Sequence, residues 1–177
     1  MSLAAYAIAA AALAAGAAGG WDDATFRVYY LFGGLLTAPL FGIGSLLLVR
    51  ARWAAPLGLL YAGLALGVAV AAPVTQHVEG TAIPRAQDHL DLFPARALAI
   101  AGNSAGTLAV VVVVLMTFRR RPVGNVLILG GIAVAAAGSA LSGLGEAGTA
   151  AFLAAAAVLL YAGVVTGPLS RLSRRAS

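Results

Sequence analysis

Read for the spacing of apolar and polar positions, the chain resolves into six long apolar runs separated by short polar punctuation. The runs cover residues 3–20, 28–49, 53–72, 94–118, 123–143 and 147–167. A helix rising 1.5 Å per residue needs about 20 apolar residues to cross a hydrocarbon core of ~30 Å, and each run approaches or exceeds that length. Lipid offers no partner to an unpaired backbone amide, so spans this poor in polar groups must be helical. The pattern predicts an all-α integral membrane protein, a bundle of six transmembrane helices forming a single domain over residues 1–177. The longest polar interval, the loop at 73–93, separates spans three and four.

Charge adds orientation. Arg50 and Arg52 separate spans two and three, Arg119, Arg120 and Arg121 separate four and five, and Arg171, Arg174 and Arg175 follow six. With six spans these arginines share one side. The other side receives every carboxylate, Asp22, Asp23, Glu79, Asp88, Asp91 and Glu146, with Arg27, Arg85 and Arg96. The positive-inside bias then predicts cytoplasmic N- and C-termini and a multi-pass protein of the cytoplasmic (inner) membrane. Trp21, Phe26, Tyr29, Tyr30 and Phe93 are expected at the outer interface, and Trp53 and Phe118 at the inner one. The first run is mostly alanine and could pass for a signal-peptide core. It lacks a positive n-region and is read as a retained span.

Composition supports the class: 62% of residues are hydrophobic and 10% charged, where soluble domains carry about a quarter charged. All eleven cations are arginine, and there is no cysteine. The missing lysine removes Schiff-base chemistry. The missing cysteine removes disulfides and thiolate ligands. No histidine falls inside a span, which excludes membrane-embedded bis-His haem, and no Asp, Glu or Arg sits mid-span to relay protons. Ser45, Ser104 and Ser139 have no neighbouring base, and no nucleotide-binding loop occurs. No cofactor is predicted. The basic balance implies anionic lipid headgroups at the cytoplasmic face as partners, not nucleic acid.

Small residues recur every fourth position: Gly34, Ala38 and Gly42; Gly63 and Gly67; Gly102 and Gly106; Gly131, Ala135 and Ser139. Such stripes let helix backbones approach closely, within one bundle or across a homodimer or partner seam. A shift of 69 positions lays Arg27 on Arg96, Gly33 on Gly102, Arg50 on Arg119 and Arg52 on Arg121. Because arginines are expected at loop edges, this reads as convergent hairpins rather than duplication.

Two groups of residues are candidates for chemistry. In span four, "AGNSAGT" places Asn103 and Thr107 on one face well inside the membrane, with Ser104 beside them. A buried amide must find partners there, and Thr37 and Tyr61 stand at suitable depths. Pro39 frees a carbonyl one turn earlier and predicts a kink in "GGLLTAPLFGIG". These six residues are either interhelical glue or the lining of a ligand pocket or pathway. On the outside, "PRAQDHLDLF" predicts a short interfacial helix opening at Pro84, with Ala86, Leu90 and Phe93 on one side and Arg85 pairing with Asp88. His77, Glu79, Asp88, His89 and Asp91 supply enough metal ligands in principle, but no spacing fixes them on one face. A solvated lid explains them more simply.

Three functions follow. The preferred one is a non-enzymatic accessory or scaffold component, or a binder of an apolar ligand between helices. The alternatives are a small transporter or channel for a neutral or lipophilic solute, and a membrane enzyme or metal binder using the outer loop.

Overall fold

The computed structural model describes residues 2–140 and 146–173, with side chains over 2–137 and 151–166. Residues 141–143 of the fifth predicted span, the side chains at both ends of the sixth, those of Ser139, Glu146 and Arg171, and Arg174 and Arg175 lie outside the described residues. Every regular element described is a helix. These are α1 (Ser2–Gly19), α2 (Asp23–Leu48), α3 (Ala54–Ala71), α4 (Ala86–His89), α5 (Leu92–Arg120), α6 (Pro122–Ala140) and α7 (Glu146–Ser173). By length and composition α1, α2, α3 and α5 can each cross a membrane. The described apolar stretches of α6 and α7, Pro122–Ala137 and Ala151–Thr166, are shorter. The chain divides within α5 into two compact units, Met1–Val110 and Val111–Ser177.

On α1 and α3 of the first unit size, not polarity, separates inside from outside. The buried face of α1 is Ala5, Ala9, Ala12 and Gly16, and that of α3 is Ala54, Gly58, Ala65 and Ala69. Leu57, Leu59, Leu60, Leu64, Leu66 and Val70 of α3 point outward. Burying leucine from lipid gains nothing, whereas small residues let backbones meet, and that is the logic of helix packing in a bilayer. The core of this unit sets Leu35 and Leu36 of α2 against Ala5, Ala65, Ala69 and Ala99.

Local chemistry fixes the helix ends. Asp22 caps α2, its Oδ1 accepting from Thr25 N–H at 2.7 Å. Arg27 donates to Ala69 O at 2.7 Å and Val70 O at 3.3 Å, satisfying carbonyls that the last turn of α3 leaves open. At its far end α2 closes with Ala51 N–H to Leu46 O at 3.1 Å and Arg50 N–H to Leu47 O at 2.9 Å. These paired bonds form a Schellman motif, with Arg50 at the left-handed position (φ 63°).

A second cluster packs the 73–93 segment against the rest of the first unit: Trp21, Phe26, Ala72, Val78, Leu90 and Ala95. Two of the aromatic residues expected at an interface turn inward, and two stay open. Trp21 and Phe26 are buried, the indole lying over Gly16 where a Cβ would overlap it, while Phe93 and Trp53 are exposed. The expected outer helix is one turn long and begins at Ala86 rather than Pro84. Asp88 meets Arg85 through its backbone N–H to Arg85 O. Leu90 turns inward (5% exposed) and Phe93 outward (80%), so the two do not share a face. The extended backbone at Leu90 and Asp91 breaks the helical register between them.

In the second unit α6 and α7 pack through glycine. A Cβ on Gly124 would lie 2.8 Å from Gly163 O, one on Gly163 2.7 Å from Gly124 O, and one on Gly131 2.8 Å from Leu160. Gly131 thus serves the close approach that its stripe predicts.

Candidate functional site: a polar belt around Pro39

From Tyr30 to Leu36 the helix α2 widens into a π turn, in which Thr37 N–H reaches back five residues to Phe32 O. Pro39 is the cause that the sequence supplies. Its ring crowds the carbonyl four residues earlier, and its nitrogen has no hydrogen to donate. An N–H at position 39 would serve Leu35 O in an α turn or Gly34 O in a π turn. Both carbonyls therefore face the interior without a backbone donor from that position.

Side chains replace the missing donor. Tyr61 of α3 donates its hydroxyl to Leu35 O at 2.9 Å, and the same oxygen lies 3.4 Å from Leu98 O. Asn103 of α5 donates through Nδ2 to Gly34 O at 3.0 Å. Thr37 donates to Phe32 O at 2.6 Å. Two helices, α3 and α5, are thus tied to one distorted turn of α2. Glycine makes this possible: a Cβ on Gly102 would overlap the Tyr61 hydroxyl, and one on Gly106 would lie 2.5 Å from Ala38 O. On the facing helix a Cβ on Gly42 would lie 2.5 Å from Gly106 O. Ala38–Gly42 and Gly106 are the two sides of one backbone contact, while Gly102 makes room for the Tyr61 side chain.

The expected partnership of Asn103 with Thr37 and Tyr61 takes a different form. All three converge on the π segment, but each bonds a different carbonyl and none bonds another. The Gly34 and Leu35 carbonyls, without a donor from position 39, demand Asn103 and Tyr61 more strongly than a neighbouring hydroxyl does, while Thr37 adds its hydroxyl to the carbonyl that its own N–H already serves. Asn103 Oδ1 is buried with no partner among the described residues. Ser104 and Thr107 lie on exposed parts of α5 and are not brought to the belt, and Pro39 is buried within it. The other stripe, Gly63 and Gly67, faces open space.

The 73–93 segment is pinned rather than free. Asp23 accepts from His77 Nδ1–H at 2.9 Å and from Val78 N–H at 3.0 Å. Trp21 N–H donates to Gly80 O at 2.7 Å, and Thr75 N–H to His89 O at 2.9 Å. His89 donates through Nδ1 to Gln76 O at 2.9 Å and lays its ring against Phe26. The Val78 amide, then His77, holds the Asp23 carboxyl below its ordinary range, and the Thr25 amide does the same for Asp22. Among the described residues no three of His, Asp and Glu gather to hold a metal ion. His77 and His89 each spend Nδ1 on a separate bond, while Glu79, Asp88 and Asp91 are exposed.

Sequence reasoning missed Asn125. It is buried in the second unit, donating to Val114 O at 3.1 Å and Thr117 Oγ1 at 3.1 Å. The signal was present: a lone amide in the first turn of an apolar run needs a partner as much as Asn103 does. Arg121 is also inward-turned, donating to Val164 O at 3.0 Å.

Among the described residues, four helices long and apolar enough to cross a membrane, two of them with alanine and glycine on their buried faces, place the chain among helical membrane proteins. Compared with protein-family models, curated proteins and solved structures, the chain matches none.

Proposed function

We propose that this is a six-span protein of the cytoplasmic membrane, both termini cytoplasmic, with a non-enzymatic accessory or scaffolding role. In that role it holds an apolar ligand or the span of a partner protein against its helices. One observation carries the reading: the belt's hydrogen-bond donors are committed to backbone carbonyls of their own bundle. Tyr61 and Asn103 mend the turn that Pro39 opens, and Thr37, Ser45, Thr117 and Thr166 each bond a carbonyl of their own helix. Such groups hold helices together and leave little to polarise, protonate or attack a substrate. The outward apolar faces are then the surface on which a partner or ligand acts. Anionic headgroups at the cytoplasmic edge complete its surroundings.

The test is purification in native lipid discs followed by mass spectrometry of everything that co-purifies. A partner protein or lipid at fixed stoichiometry supports the role. A chain recovered alone, with a lipid complement matching the bulk membrane, overturns it.

A further inference from the structure

The turn joining α2 to α3 couples a backbone oddity to a concentration of charge. Arg50 stands at the left-handed position of the Schellman motif, with φ 63°. Glycine usually fills it, because a Cβ is crowded in that conformation. The chain has 22 glycines and places none here. Both closing bonds are made by backbone atoms alone, so they need no arginine. Arg50 and Arg52 are exposed on either side of Ala51, and Trp53 follows with 57% of its surface open. Neither arginine has a carboxylate partner among the described residues. A cation near a helix C-terminus gains from the helix dipole, but that gain is the same in any lipid.

The geometry points to the Arg50–Arg52–Trp53 turn as a docking surface for the phosphate of an anionic phospholipid in the cytoplasmic leaflet. Two guanidinium groups present planar donor forks to phosphate oxygens, and the adjacent indole sits at headgroup depth. The side chain that strains the turn is thereby the one that binds. This rests on the orientation proposed above, which sets the turn on the cytoplasmic side.

The full-length protein is reconstituted in phosphatidylcholine vesicles with a minority of phosphatidylglycerol, either lipid carrying brominated chains at equal mole fraction. Trp53 emission is taken as the difference between wild type and Trp53→Phe. Brominated phosphatidylglycerol should quench it more, with a local preference of about fivefold per arginine. Arg50→Gly and Arg52→Gln should each lower that preference. Arg50→Gly should also raise the unfolding temperature in pure phosphatidylcholine, where relief of the crowded left-handed Cβ outweighs the lost dipole interaction. Equal quenching by the two lipids, or a preference that neither substitution changes, overturns the assignment. Orientation is read separately from Ala51→Cys, the sole cysteine in that variant, with a membrane-impermeant maleimide. Labelling from outside overturns both the orientation and the docking. Cytoplasmic labelling without a lipid preference overturns the docking alone.

Discussion

Removing the Tyr61 hydroxyl tests whether the belt exists to mend the turn at Pro39. In Tyr61→Phe the ring stays and Leu35 O loses its donor at 2.9 Å. The carbonyl is then a part-buried acceptor without a backbone donor from position 39, in a setting where water is scarce. Losing one interhelical bond in a membrane protein costs about 0.6 to 1.7 kcal/mol, and leaving a buried acceptor open about 1–3. The expected loss is about 1–2 kcal/mol. The diagnostic step is the second background. Pro39→Ala restores an N–H at position 39, which can serve Leu35 O from within α2. On that background Tyr61→Phe should cost about 0.5 kcal/mol or less, giving a coupling of about 1 kcal/mol in a double-mutant cycle. Equilibrium unfolding in mixed detergent micelles, followed by far-ultraviolet circular dichroism, measures all four proteins. If Tyr61→Phe costs the same with proline and with alanine at position 39, the hydroxyl is not replacing the missing amide and the argument fails.

Four further outcomes are expected. Gly42→Ala sets a methyl 2.5 Å from Gly106 O, where both neighbours are backbone, and should destabilise by about 1–3 kcal/mol in the same assay. Gly63→Ala meets nothing within 4 Å and should change stability by less than about 0.5 kcal/mol. Asn125→Leu removes both bonds that tie it to Val114 O and Thr117 Oγ1, and should cost about 1–2 kcal/mol; a neutral result would show the amide to be dispensable. The Asp23 carboxyl is held below its ordinary range, so its contribution is complete above the usual carboxylate pKa and is lost as pH falls through the lower folded value. Emission from Trp21 in a Trp53→Phe protein should therefore shift only in strong acid, and Asp23→Asn should remove that transition.

The sequence alone determined helicity, because long apolar runs in lipid have no other way to satisfy their amides. It also located the distortion, since Pro39 removes a hydrogen bond wherever the chain goes, and it marked Asn103 as an amide needing a partner. The glycine stripes at Gly42 and Gly102–Gly106 were legible as close contacts, although nothing in them distinguished those from the open stripe at Gly63 and Gly67. The helices are apolar all round, so no amphipathic stripe announces which face turns inward. Only the tertiary structure decided that α1 and α3 turn alanine and glycine inward and α3 its leucines outward, while Leu35 and Leu36 of α2 stay in the core, and that Trp21 and Phe26 are buried.

Partner choice was beyond the sequence for the same reason. Asn103 meets Gly34 across 69 positions, His77 meets Asp23 across 54, and Tyr61 meets Leu35 across 26. Hydropathy and turn chemistry act over a few residues. Which donor reaches which freed carbonyl depends on where three separate helices cross, and that is set by packing.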